Sequence, residues 1–156
     1  MYGVFGRSMT KPKCIIVDLD GTLCDVSHRR QYVATKPRNW DAFNKALVLD
    51  EPNYPVLETI KCLSKSYPII IVSGRSDDYK TQTVEWLNKY DVPYSELYMR
   101  KYKDNRDDTI IKGEICDVIE ETYDVFFIFD DRVKVTDYYR QRGYWVFDCN
   151  QTREVF

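Results

Sequence analysis

Four short stretches of unbroken apolar residues constrain the fold of this chain most: Cys14–Val17, Ile69–Val72, Val125–Phe129 and Tyr144–Phe147. Each is rich in β-branched or aromatic side chains. None shows the alternating polar position of a half-exposed strand, so each reads as a strand buried on both faces. A weaker run, Glu96–Met99, falls third in chain order, which makes the Val125 run the fourth strand and the Tyr144 run the fifth. The intervening stretches have helical spacing. Residues 53–66 place Val56, Leu57, Ile60 and Leu63 on one face, and residues 77–90 do the same with Tyr79, Thr83, Trp86, Leu87 and Tyr90. Residues 107–122 carry Ile111, Ile115, Val118 and Ile119 and open with acidic residues that suit a helix start. Residues 133–142 end at Gly143, which suits a helix C-cap. Strands alternating with helices predict a three-layer α/β domain with a parallel sheet covered on both faces. The length, 156 residues, fits one such domain, and a chain of this size buries roughly 70% of its unfolded surface.

One segment breaks the alternation. About thirty residues, Leu23 to Pro52, separate the first strand from the first helix, where a handful is usual. Ser27 is placed to cap a short helix through Val33, and Asn39 a second from Trp40 to Leu47. The expectation is a small helical cap over the sheet edge, an insert at about residues 24–52 of a single domain spanning 14–156. The first thirteen residues, with Gly3, Gly6 and Pro12, are expected to form a flexible N-terminal segment.

Composition removes several chemistries. The five cysteines (Cys14, Cys24, Cys62, Cys116 and Cys149) form no CxxC pair and read as reduced thiols of a cytoplasmic protein (host cytoplasm, were it phage-encoded). A single histidine, His28, disfavours a zinc site and any Ser-His or Cys-His mechanism. Six glycines offer neither a GxxxxGK[ST] loop nor a GxGxxG turn, so loop-type ATP chemistry is not expected. The formal net charge of −2 leaves no broad basic footprint for nucleic acid, although the end of one strand could still bind. No apolar run approaches the ~20 residues of a membrane span, and no stable protein partner can be inferred.

The remaining polar candidates fall just after strands: Asp18-Leu19-Asp20-Gly21-Thr22 after the first, Ser73-Gly74-Arg75 after the second, Asp130-Asp131-Arg132 after the fourth. Ligands of open α/β sheets bind at the carboxyl ends of strands, so these clusters should meet there, within reach of Lys112. Four carboxylates so close repel strongly and need a cation. An all-oxygen set suits a hard ion such as Mg²⁺. The inferred site is therefore carboxylates, Mg²⁺ and a lysine facing an anionic ligand.

This constellation resembles the haloacid dehalogenase-like phosphatase superfamily, over about Cys14 to Cys149. It is most similar to the phosphatase half of phage polynucleotide kinase/3′-phosphatases. The carriers of that likeness are Ser73-Gly74-Arg75, the Thr83 to Leu87 helix, the Asp107-Asp108 pair four residues ahead of Lys112, and Asp130-Asp131-Arg132. The sequence departs from that family in carrying no kinase half and a different cap. The resemblance implies a Rossmann-like sheet with the first strand central, flanked by the second and fourth. It also implies Mg²⁺-dependent phosphomonoester hydrolysis, with a nucleotide or a nucleic-acid 3′ end as substrate. Asp18 would be the nucleophile that forms an aspartyl-phosphate, and Asp20 the general acid and base. Ser73 and Lys112 would hold the phosphoryl group. Asp18, Asp130, Asp131 and the Asp20 main chain would bind the metal. Thr22 would order the loop or bond the nucleophile, and Gly21 would keep the turn free of a side chain.

Other residues read two ways. Arg75 and Arg132, with Thr22 and Gly74, are candidate substrate contacts, but an arginine after a strand can equally pair with a carboxylate. His28, Arg29 and Arg30 could contact a nucleotide from the cap, but the preferred reading is a solvated helix face. Arg100-Lys101-Tyr102-Lys103 is either an exposed loop or a strand-tracking segment with Tyr102 stacking on a base. The competing functions are a 5′- or 3′-mononucleotidase and, more remotely, a phosphoacceptor signalling domain.

Overall fold

The structure, a computed structural model, describes residues 10–155. In chain order, β1 (Lys13–Val17) leads into the cap, which comprises β2 (Cys24–Asp25), a 3-10 turn (Ser27–Tyr32), α1 (Trp40–Lys45), a second 3-10 turn (Ala46–Leu49) and β3 (Glu51–Pro52). Then come α2 (Tyr54–Leu63), β4 (Ile69–Ser76), α3 (Lys80–Lys89), β5 (Glu96–Arg100), α4 (Asp108–Glu120), β6 (Asp124–Asp130), α5 (Val133–Gln141) and β7 (Val146–Asp148). The five expected strands form one parallel sheet of order β5-β4-β1-β6-β7. The first strand is central between the second and fourth of the five.

Strand alternation explains why the runs are apolar throughout. Side chains of a strand point to opposite faces in turn. Ile15, Val17, Ile69 and Ile71 pack on one side with Leu57 and Ile60 of α2 and Trp86 and Leu87 of α3. Cys14, Ile16, Ile70 and Val72 pack on the other with Cys116 and Ile119 of α4 and Val135 and Tyr139 of α5. Burying each such Ile contributes ~1.5–3 kcal/mol, and a central strand spends its side chains on two cores.

The helix ends follow local chemistry. The Asp107 side chain accepts from Thr109 N at 3.0 Å and caps α4. Gly143, at φ +96°, closes α5. There Tyr144 N donates to Tyr139 O (3.1 Å) and Gly143 N to Arg140 O (2.9 Å), the paired bonds of a left-handed helix stop. That turn consumes Tyr144, so the last strand starts two residues later than the apolar run suggests, and Trp145 is exposed.

In the cap, Asn39 accepts from Ala42 N at the start of α1 as expected, but Ser27 caps nothing. Residues 27–32 form a 3-10 turn with no side-chain cap. The cap closes on a two-stranded antiparallel ribbon, β2 with β3. Of the N-terminal segment expected to be flexible, residues 1–9 lie outside the described residues. Lys13 opens β1, and Pro12 O accepts from Asp124 N at 2.9 Å. Among the described residues all five cysteines are free thiols, and no helix is long and apolar enough to cross a membrane.

Candidate active site

The strand ends do converge. β1 delivers Asp18, whose backbone N donates to Phe129 O of β6 (3.0 Å). Lys112, in the second turn of α4, sends its ammonium between two carboxylates: Nζ donates to Asp18 Oδ1 (3.0 Å) and to Asp130 Oδ2 (2.7 Å). The other Asp130 oxygen accepts from Asp131 N (2.8 Å) and Arg132 N (3.1 Å), which turns the chain after β6. Thr22 Oγ1 lies 3.3 Å from Asp18 Oδ2 and 3.2 Å from Asp131 Oδ1, the two acceptors its hydroxyl can reach. Asp18, Thr22, Lys112, Asp130 and Asp131 are all buried.

Gly21 is required twice here. Its φ is +83°, a region L side chains avoid, and a Cβ would lie 2.0 Å from Asp131 Oδ2. Gly74 has a similar task, since a Cβ there would fall 2.7 Å from Asp108 Oδ1. Ser73 is buried, and its Oγ accepts from Arg75 N at 3.1 Å, which leaves its O–H to donate elsewhere.

The charge balance of this cluster is unfavourable without a cation. One carboxylate oxygen from each of Asp18, Asp130 and Asp131 lie within 4.8 Å of one another. Burial, and then the neighbouring Asp130, push the Asp18 carboxyl well above the usual carboxylate range, with Lys112 pulling the other way. The same two causes push Asp131 up to about 6. Burial alone would lower Lys112, but Asp130 and Asp18 hold it well above its ordinary value, so it stays charged. Three acids thus share one ammonium, and an all-oxygen donor set with an excess negative charge fits a hard divalent cation.

Asp20 sits differently. Its Oδ1 accepts from Arg75 Nη2 (2.6 Å) and from Arg29 Nη2 (2.6 Å), and Arg75 Nε lies 3.0 Å from the same oxygen. Burial would raise this carboxyl, but Arg75 and then Arg29 overcome it and hold Asp20 well below the usual carboxylate range. Arg75 also reaches Thr83 Oγ1 (3.2 Å) and is buried. The guanidinium read as a candidate substrate contact is therefore engaged with Asp20. Arg132, another such candidate, is partly exposed and donates to Asp108 Oδ2 at 2.5 Å. Arg100 ties its loop together through Gly74 O (3.0 Å), Asp104 O (2.9 Å), Arg106 O (2.6 Å) and Asp108.

The solvated-face reading of the 28–30 segment is corrected at Arg29, which is fully buried. Besides Asp20, it grips Asp50 through Nε (2.8 Å) and Nη2 (2.7 Å) and lies 4.2 Å from the Phe43 ring. His28 Nε2 lies 2.7 Å from Asp50 Oδ1. The cause is Asp50: a carboxylate buried at the cap base needs a cation, and the 3-10 turn aims Arg29 inward to supply one. Asp50 and Asp108 escaped sequence reasoning as individual residues. A lone aspartate before β3 carries no local signal, whereas Asp108 lay inside the acidic pair preceding Lys112.

The family model for the polynucleotide kinase PNKP phosphatase domain matches residues 12–153. A chain of the Pnkp1/Rnl/Hen1 RNA repair complex is 34% identical, with TM-score 0.77, over 88% of this chain and 42% of that one. A second structure of a Pnkp1/Rnl/Hen1 complex gives 34% identity and TM-score 0.76, over 90% of this chain and 46% of that one. The present chain thus spans less than half the length of these two relatives. A haloacid dehalogenase-like hydrolase from Streptococcus pneumoniae shares the fold at 11% identity and TM-score 0.59, over 88% of this chain and 84% of that one.

Proposed function

The chain belongs to the family of polynucleotide kinase PNKP phosphatase domains, a phosphatase family, and from that premise we propose that it removes the 3′-phosphate from polynucleotide ends through an aspartyl-phosphate on Asp18. The observation that carries this reading is the Lys112 ammonium held between Asp18 and Asp130, with Asp131 across the cluster. That arrangement anchors one carboxylate at a strand end and leaves an excess of negative charge that would favour a cation, which in turn would offset the charge of a phosphoryl group. The relatives of an RNA repair complex support a nucleic-acid end as the substrate.

Asp18 attacks phosphorus, and the bond from phosphorus to the 3′ oxygen breaks as the new acyl-phosphate bond forms. Lys112 fixes the Asp18 carboxylate by one oxygen, so that the other can serve as nucleophile. Together with Ser73 Oγ, it stabilises charge on the phosphoryl oxygens as the group transfers. Asp20 gives a proton to the departing 3′ oxygen, then takes one from the water that attacks the acyl-phosphate and releases inorganic phosphate. In the arrangement described, Asp20 is ionised against Arg29 and Arg75. Donation therefore requires its carboxyl to turn away from these guanidiniums, take up a proton from solvent and present it to the leaving oxygen. Asp18, Asp130, Asp131 and the Asp20 main-chain carbonyl would hold the cation, Mg²⁺ in this reading, which would supply charge neutralisation at the transferring phosphoryl group.

The test is phosphate release, with Mg²⁺ and with EDTA, from a 3′-phosphorylated oligonucleotide, a 3′-mononucleotide and a 5′-mononucleotide. The proposal expects Mg²⁺-dependent release with the oligonucleotide preferred. Preference for either mononucleotide would replace it with a nucleotidase.

A further inference from the structure

An open groove of about 310 Å³ lies between the cap and the loop after β5. Trp40 of the cap stands on one wall and Tyr102, with Lys101 and Lys103, on the other. Its floor includes Ser76, the last residue of β4, whose register partner is Arg100 of β5. Ser76 is three residues beyond Ser73, so the groove begins within about 10 Å of the phosphoryl-binding hydroxyl along a strand rising ~3.3 Å per residue. Arg100, also on the wall, donates to Gly74 O. Ser76 and Arg100 thus connect the groove to the strand end that carries Ser73 and Gly74.

Its walls have a particular chemistry. Trp40 is 49% and Tyr102 61% exposed, so both rings present a face to the groove. Each ring keeps company with a cation: Arg38 lies 6.0 Å from the Trp40 ring and Lys103 5.4 Å from the Tyr102 ring. The acids on the walls are largely engaged. Asp41 pairs with Lys45 (2.8 Å) and Asp104 with Arg106 (2.8 Å). Asp78 remains, against the exposed ammoniums of Lys101 and Lys103. Aromatic faces interleaved with cations along a groove match single-stranded nucleic acid, whose bases stack on any π-face while phosphates follow the positive charges.

We propose that this groove seats the nucleotides immediately 5′ to the terminal 3′-phosphate, with Tyr102 and Trp40 as base-stacking faces and Lys101 and Lys103 along the backbone. This rests on the reading of a polynucleotide 3′ end as substrate. It makes the groove the determinant that separates a strand from a mononucleotide.

The experiment compares kcat/KM on a 3′-phosphorylated pentanucleotide, offered as DNA and as RNA, with kcat/KM on glycerol phosphate, which has no base. Stacking on one aromatic ring is worth roughly 5- to 150-fold in affinity. Tyr102→Ala should lower the ratio of the two kcat/KM values by at least about fivefold on the better oligonucleotide, and Tyr102→Phe should restore it. Lys101→Ala with Lys103→Ala should flatten the salt dependence on the oligonucleotide. A ratio unchanged in both Tyr102→Ala and Trp40→Ala would overturn the proposal. Binding of an unphosphorylated pentanucleotide to Asp18→Asn protein, followed by fluorescence anisotropy, tests the groove apart from catalysis. Weaker binding on adding Tyr102→Ala upholds the groove even if the oligonucleotide is not hydrolysed, and equal binding rejects it even if it is.

Discussion

Replacing Asp131 with asparagine should stabilise the metal-free protein at neutral pH. Asp131 is buried beside Asp18 and Asp130, and its carboxyl is raised from 3.8 to about 6 by burial and then by Asp130. A carboxylate whose folded value is raised binds its proton more tightly in the folded state. Its contribution therefore falls as pH rises from the unfolded value through about 6 and is fully unfavourable by pH 7. At about 1.4 kcal/mol per pH unit, the cost of keeping it ionised is about 3 kcal/mol. Asparagine removes that cost and keeps an oxygen to accept from the Thr22 hydroxyl, now 3.2 Å from Asp131 Oδ1. For a chain of this size, 1 kcal/mol moves Tm by roughly 2–4 °C, so Asp131→Asn should melt roughly 6–12 °C above the parent in EDTA at pH 7. The gain should shrink below about pH 4, where the parent carboxyl is also neutral. Mg²⁺ should raise the Tm of the parent more than that of the variant. Melting curves by circular dichroism at pH 4 and 7, with EDTA and with Mg²⁺, test all of this. An Asp131→Asn protein that melts below the parent in EDTA at pH 7 would refute the argument that the three acids are short of positive charge.

Three further perturbations probe the same network. Lys112→Met strips the shared ammonium from Asp18 and Asp130. Phosphate release should fall by about 10²- to 10³-fold, and metal-free stability by about 3–5 kcal/mol as two buried acids lose their partner, read by initial rates and by urea melts. Gly21→Ala puts a methyl 2.0 Å from Asp131 Oδ2 at φ +83°. Activity should drop at least tenfold, by analogy with misplacement of a reacting group by about 1 Å, with the Mg²⁺ concentration for half-maximal rate rising alongside. Arg29→Ala leaves Asp50, among the described residues, with the guanidinium of Arg75 and the His28 ring beside it and removes one guanidinium from Asp20. The loss should be about 3–5 kcal/mol at pH 7. Because Asp20 is depressed in the folded state, its contribution is present above the unfolded value and lost as pH falls, so the penalty should diminish below about pH 4.

How much of this was legible in the sequence depends on which residues carry the information locally. The two-faced burial of Ile15 through Val17 and Ile69 through Val72 appears as unbroken apolar runs, and the placement of Asp18, Ser73 and Asp130 follows from where those runs stop. Asp107 and Gly143 mark helix ends by their own hydrogen-bonding and conformational preferences. The cap is another matter. β2 and β3 have two residues each, too few for any period to show. Arg29 reads as a surface residue because nothing nearby in sequence reveals Asp50, twenty-one positions away. The same holds for Arg75, whose partner Asp20 is fifty-five positions distant. An arginine's choice between substrate and carboxylate is made by tertiary structure. For Arg29 a buried aspartate, Asp50, decided it, and for Arg75 the partly buried Asp20 did.

The most direct measurement of the central claim is the fate of the phosphoryl group in a single turnover. The enzyme would be mixed in excess with an oligonucleotide carrying a labelled 3′-phosphate, quenched in acid and digested for peptide mass spectrometry. The account predicts transient label on the peptide containing Asp18, appearing before free phosphate, and neither label nor release from Asp18→Asn. Phosphate released at an undiminished rate by Asp18→Asn, or label found on another residue, would contradict it.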